Sequence, residues 1–181
     1  MFKRILVLAL PAVLLALFSG CASQPLPLNY APSSVLTLEG KVNVAEFKYL
    51  PAINNPKIKP TQIRNTALGS VVFEQPIDRI FKEAVFKELR FVGVKLDSSN
   101  LTLSGEVEEF LIDDLGYSVD WTLRVKYVVT DKDSGKAVYE SVKNTQRKTN
   151  KFANVFAALN ETIKLNIEDL MKDPAFASAI K

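Results

Sequence analysis

The sequence predicts an α+β fold two layers deep, an antiparallel or mixed sheet of four to five strands covered on one face by two helices. Three observations predict it. From Tyr117 to Val129 apolar and polar residues alternate without a break. Tyr117, Val119, Trp121, Leu123, Val125, Tyr127 and Val129 share one face, and Ser118, Asp120, Thr122, Arg124 and Lys126 the other, as in an antiparallel strand with one wet side. Two further stretches, one after Pro76 and one near the C-terminus, carry apolar residues at helical spacing. Finally, TDKDSGK reads as a hairpin turn between the strong strand and a following one, so the late strands form a meander.

Each element has its own signal. Gly40 to Tyr49 reads as a first strand, with Val42, Val44 and Phe47 as its apolar positions. The next twenty residues, LPAINNPKIKPTQIRNTALG, hold three prolines and an Asn pair and read as a long loop; Ser70 to Phe73 is a short strand. Pro76 suits a helix start and Gly93 its stop. Between them Ile77, Ile80, Phe81, Ala84, Val85 and Leu89 form one stripe. Glu88 falls inside that stripe, near the end, where a long side chain can snorkel to water. Phe86 falls opposite, either as an ordinary exposed aromatic or as part of a partner surface. Leu101 to Ile112 is a strand with Leu101, Leu103, Val107 and Leu111 on one face, and Ala137 to Gln146 pairs back on the strong strand. A last helix runs from about Lys151 to Met171, capped by Asn150, with Phe152, Phe156, Leu159, Ile163, Ile167 and Leu170 as its stripe. Asp173-Pro174 ends it before an apolar tail.

The first residues set a location. Lys3 and Arg4 precede a nearly unbroken apolar run from Ile5 to Phe18, then Ser19-Gly20 and Cys21, the layout of a secretory signal peptide too short to span a membrane comfortably. Small residues before the Cys resemble the bacterial lipobox, with Phe18 standing where Leu is usual. The resemblance implies cleavage that leaves Cys21 first, a diacylglyceryl group on its sulfur, and, with Ala22 rather than Asp following, sorting to the periplasmic face of the outer membrane. Several acyl chains on one residue anchor firmly, since each buried CH₂ contributes about 0.8 kcal/mol. The division expected is a signal peptide at 1–20, an acylated flexible tether at 21–34, uncharged and carrying three prolines, and one periplasmic domain at 35–181.

Composition narrows the chemistry. Cys21 is the only cysteine, so the domain holds without a disulfide. There is no histidine, which removes the commonest general base and the commonest metal ligand; no metal and no cofactor is expected. The formal charge of +3 includes Lys3 and Arg4, and without them 21 basic residues face 20 acidic ones. Near-neutrality argues against a nucleic-acid partner.

The early GKVNVAEF, the helix after EQPID, the segment LTLSGEVEEF, the long strand before DKDSGK and the closing LMKDPAFASAI together resemble the YajG-like outer-membrane lipoprotein family. They are more loosely similar to the auxiliary lipoproteins of envelope lipid-transport systems and to the lipoprotein of lipopolysaccharide assembly. The YajG-like family brings no catalytic residues to carry over; the lipid-transport relatives imply a role by analogy of fold and place.

Three groups of residues are candidates. Lys143, Arg147, Lys148 and Lys151 form a basic stretch with no acid between Glu140 and Glu161, joined by Lys57, Lys59 and Arg64 from the long loop. They suit lipid head groups, lipopolysaccharide or an acidic protein face, or are a solvated fringe. Glu106, Glu108, Glu109, Asp113, Asp114 and Asp120 are acidic, and a carboxylate pair among them could hydrolyse glycosides; cross-strand pairing with Arg124 and Lys126 explains them more cheaply. Tyr117, Trp121 and Tyr127 line either an apolar lipid groove or the main core. The reading that follows is a non-enzymatic accessory or structural component of an envelope complex, held to the membrane by its N-terminal acyl chains. The alternative is a lipid or glycolipid binder in envelope lipid transport.

Overall fold

The computed structural model describes residues 25–67, 69–97, 99–151 and 153–181. The expected signal peptide, Cys21 and Phe152 lie outside them. Ten elements follow in order: β1 (Asn43–Tyr49), α1 (Leu50–Asn54), β2 (Gln62–Asn65), β3 (Gly69–Val72), α2 (Ile77–Phe91), β4 (Leu101–Asp113), β5 (Ser118–Asp131), β6 (Ala137–Asn150), α3 (Val155–Met171) and α4 (Pro174–Ala179).

The six strands form one mixed sheet, in the order β3-β2-β4-β5-β6, with β1 also on β4. The late meander is antiparallel as expected. The strand count exceeds the expected four to five because the proline-rich loop hides β2, which pairs with β3 as a hairpin. The loop's first residues also form a short helix, α1, with Pro51 in its first turn. Both β1 and β2 run parallel to β4 along the same edge, β1 beside Thr102–Val107 and β2 beside Leu111 and Ile112. The chain leaves that edge at α1 and returns to it at β2, so local proline signals marked the interruption and hid the strand.

The alternation in β5 holds: Val119, Trp121, Leu123, Val125, Tyr127 and Val129 are buried. Tyr117 departs from it, lying before β5 and fully exposed. In β4 a bulge between Val107 and Glu109 shifts the register. The core face therefore switches from Leu103, Gly105 and Val107 to Phe110 and Ile112, and Leu111 turns to the other side. Strict alternation from Leu101 to Leu111 missed this, because a bulge adds one residue and inverts every later side chain.

Both long helices cover the same side of the sheet. α2 buries Ile77, Ile80, Phe81, Ala84, Val85 and Leu89, the stripe read from the sequence. Each large side chain so buried contributes roughly 2 kcal/mol. α3 starts four residues later than expected, because β6 continues to Asn150. Asn154, not Asn150, is its cap, and its side chain accepts from the N–H groups of Phe156 and Ala157. Phe156 consequently sits in the exposed first turn, while Leu159, Ile163, Ile167 and Leu170 are buried. Asn166 on the same helix is fully buried: its amide donates to Leu123 O, Lys143 O and Thr145 Oγ1, and its Oδ1 accepts from Tyr127 Oη at 2.8 Å. This ties α3 to β5 and β6 at one point. The apolar tail forms α4, capped by Asp173, and buries Phe176 and Ile180.

The segment expected as a free tether is packed from its first described residues. Leu26 bridges Phe73, the residue after β3; Leu28, Leu36 and Leu38 pack on the core, and Tyr30 is buried. The segment crosses the helix layer and is held there by Glu88. That side chain does not snorkel; it is wholly buried. Glu88 Oε1 accepts from Tyr30 Oη at 2.5 Å and Ser33 N at 3.1 Å, and Oε2 accepts from Ser34 N at 3.3 Å. Burial, then the Glu88 carboxyl group, push the Tyr30 hydroxyl well above its ordinary pKa, so it remains a donor at any physiological pH.

Two substitutions test this packing. Glu88→Ala strands three donors and is expected to cost about 3 kcal/mol in urea unfolding, with hydrogen exchange accelerating first in residues 25–39. Gly105 faces Phe47 and Lys126 so closely that an added Cβ would lie 2.5 Å from the Phe47 ring and 2.6 Å from Lys126 O. Gly105→Ala is expected to destabilise by about 2 kcal/mol in the same measurement, since the Phe47, Phe81 and Tyr127 rings pack together above it.

Candidate functional site

The sheet face away from the long helices carries the acids. Across β1, β4, β5 and β6 they alternate in sign with lysines and arginines. Lys48 pairs with Glu106 at 3.1 Å, Lys126 with Glu140 at 2.9 Å, Arg124 with Glu108 at 2.6 Å, and Lys148 with Asp120 at 3.4 Å. Glu106 and Lys126 are also register partners, so one row reads Lys48, Glu106, Lys126, Glu140 over four strands. The hydrogen bond and charge of Glu140 come first in raising the Lys126 pKa above its ordinary value. Each exposed pair contributes little, but the row favours one side-by-side order of strands. Glu106 and Glu108 are each engaged by a cation, as the cross-strand reading of the acidic cluster requires. Among the described residues no three His, Cys, Asp or Glu are grouped to hold a metal ion.

The basic stretch does not stay together. Lys143 and Arg147 point to the helix side of β6. Lys143 Nζ lies 2.6 Å from Asp173 Oδ2, which also accepts from Tyr139 Oη at 2.8 Å. Arg147 donates to Ala158 O on α3 at 3.0 Å. Both therefore hold α3 and α4 against β6. Lys148 points to the opposite face, beside Asp120. Lys151 reaches across to the β4–β5 turn, bonding Asp114 O and Gly116 O at 3.2 Å each. Lys57, Lys59 and Arg64 are exposed near β2, three strand spacings or about 14 Å from β6. A period of two places consecutive cations on opposite faces, and the sequence run could not show that the helix-side pair had partners 11 and 30 residues away.

Asp173 is held near pKa 2, first by the Lys143 hydrogen bond, against the opposing effect of burial, with further help from Tyr139 and the Ala175 N–H. Burial disfavours the charge on Lys143, yet Asp173 and Tyr139 outweigh it and raise its pKa. A carboxylate depressed from 3.8 to about 2 adds stability that is complete above about pH 4 and is lost as pH falls toward 2. The contribution is roughly 2 kcal/mol. Asp173→Asn should therefore lower urea stability at pH 6, and the gap from the parent protein should narrow as pH falls through about 4 to 2.

Of the aromatic candidates, Trp121 and Tyr127 are core. Trp121 Nε1 donates to Thr149 Oγ1 at 2.9 Å, and the Tyr127 hydroxyl is taken up by Asn166. Burial pushes Tyr127 well above its ordinary pKa. Trp121 borders an open depression with Asp120, Thr122, Gln146, Arg147 and Lys148, but its side chain is buried, and Tyr117 stands fully exposed before β5. The exposed apolar side chains lie elsewhere. On α2, Phe86 and Arg90 are one turn apart and, with Val94, Lys95, Leu96 and Asp97, line a shallow depression; Phe91 beside them is 58% exposed. The sequence flagged Phe86 as off-stripe, whereas Val94 and Leu96 follow Gly93 outside any periodic run.

The fold is that of a known α+β class. A protein from Xanthomonas campestris assigned to DUF330 superposes with a TM-score of 0.64 at 13% identity, covering 86% of this chain and 96% of that one. A PelC dodecamer from Paraburkholderia phytofirmans (TM-score 0.43, 13% identity, 77% and 92% covered) and a minor lipoprotein from Acinetobacter baumannii (0.39, 12%, 77% and 92%) overlay less closely, too partially to carry an argument. No family model matches the sequence, and no curated protein does. The likeness is one of fold, at low sequence identity.

Proposed function

We propose that this protein is a non-enzymatic accessory subunit of an envelope protein complex, held at the periplasmic face of the outer membrane by acyl chains on Cys21. The observation that carries the reading is the α2 surface. The rings of Trp121 and Tyr127 are buried, Glu106, Glu108 and Asp120 are paired with cations, and on α2 two exposed aromatics, Phe86 and Phe91, lie beside Arg90. Exposed aromatics beside an arginine are the composition of protein-binding patches. The lipid-binder alternative needs an apolar groove at Trp121, and there both rings are core. No described helix is long and apolar enough to cross a membrane, so attachment in this reading falls to Cys21.

The test is a crosslinked pull-down of the full-length acylated protein from its native membranes, with mass spectrometry of proteins and lipids together. A defined protein complex is the expected result, with recovery cut at least ten-fold by Phe86→Asp with Phe91→Asp while the circular dichroism is unchanged; ten-fold corresponds to about 1.4 kcal/mol of binding. Enrichment of one lipid species with no protein partner would reverse the order of the two readings.

A further inference from the structure

The end of the sheet that carries the β4–β5 turn is apolar where it meets solvent. Leu115 is 72% exposed and Tyr117 fully so. Ser118 pairs with Asn150, so the start of α3 lies at the same end, and its first two residues, Val155 and Phe156, are also exposed. Lys151 joins the two pieces through its bonds to Asp114 and Gly116. Every carboxylate here is already engaged: Asp113 accepts from the Thr66 hydroxyl, Asp114 pairs with Lys151, and Asp120 with Lys148.

The direction of the chain identifies what covers this end. β2 runs parallel to β4, toward the β4–β5 turn, and β3 runs back from it. Leu26 bridges Phe73 in parallel with β3. The chain therefore arrives at Leu26 from the side of the β4–β5 turn. Cys21 is five positions before Leu26, a reach of at most about 17 Å. On the scale of β4, Asp113 at the start of the β4–β5 turn is about five residues or 16 Å from the level of Phe73, just within that reach. The far end of β4 is about seven residues or 23 Å from the level of Phe73, beyond it.

We infer that Leu115, Tyr117, Val155 and Phe156 form a membrane-facing tip that inserts shallowly into a phospholipid surface, with Lys148 and Lys151 at head-group level. This rests on the reading of Cys21 as the acylated anchor. The tip suits that occupant: one tyrosine and three apolar side chains at an interface, cations beside them, and no unpaired carboxylate to be repelled. The acyl chains supply the affinity, and the tip fixes orientation. The helix layer and the charged sheet face then stand side-on to the membrane, and the β5–β6 turn points away from it.

The experiment places one new cysteine, carrying a fluorophore, in the full-length acylated chain, since acylation occupies Cys21. Tyr117→Cys and Phe156→Cys report the tip, and Ser134→Cys reports the opposite turn. Each chain is reconstituted into vesicles of phosphatidylethanolamine and phosphatidylglycerol, and its mass shows whether Cys21 is acylated. The expected result is quenching of both tip labels by spin-labelled lipid and shielding of them from aqueous iodide, with the Ser134 label quenched by iodide alone. Iodide quenching of the tip labels equal to that at Ser134 in an acylated chain overturns the tip and leaves the anchor standing. Shielding from both quenchers means a protein covers this end and likewise overturns it. A mass without lipid overturns the anchor and the tip with it.

Discussion

A carboxyl group buried in the middle of the helix layer constrains this fold more than any other single feature. Glu88 sits on α2, wholly buried, and its carboxyl group accepts from uncharged donors. A buried acceptor left unsatisfied costs about 1–3 kcal/mol, and more if charged. Its donors come from Tyr30, Ser33 and Ser34, more than fifty residues earlier in the chain. The N-terminal segment must therefore cross the helices at that point. Once it does, Leu38 N reaches Val92 O, Lys41 N reaches Ile180 O, and the chain is delivered to the start of β1. Ser34 also faces Glu168 of α3, so one short segment meets both long helices.

The consequence for function is mechanical as much as structural. If residue 21 is the membrane anchor, a pull on it reaches a packed strap rather than a loose linker. The folded domain then sits close to the bilayer with a defined orientation, because only a few residues separate the anchor from Leu26. The surfaces left free are those turned sideways: the α2 depression around Phe86 and Arg90, and the alternating charges of the open sheet face. An accessory subunit needs such lateral surfaces. A carrier of single lipids needs an interior cavity, and here the corresponding space holds Trp121, Tyr127 and the Asn166 hydrogen bonds.

Polar groups at the helix–sheet contacts divide the labour among the elements. Glu88 fixes the strap, Asn166 fixes α3 on β5 and β6, and Asp173 fixes the final turn through Lys143 and Tyr139. All three acids and amides fall in or next to helical stripes that are otherwise apolar. Apolar contacts alone tolerate sliding, whereas a directional bond in a low-dielectric interior specifies one register. This explains how a mixed sheet with two separate parallel segments on one edge of β4 reaches a single arrangement.

The sequence by itself determined the class of fold, the strong β5 alternation, the α2 stripe and the antiparallel meander, because each is written in a local period of two or 3.6 residues. It also marked Glu88 as an anomaly without showing its partners. Tertiary structure alone decided the rest. The β4 bulge exchanged Leu111 for Phe110 and Ile112 in the core, a change that one inserted residue makes and no propensity reveals. The β2 strand exists because β4 offers it an edge, not because its four residues favour extension on their own. A run of cations dispersed over two faces and two partners, since charge in a strand is sorted by pleat and by what lies across the sheet. The tether became a strap because distant donors met a buried acceptor, a long-range pairing that no local pattern in the chain encodes.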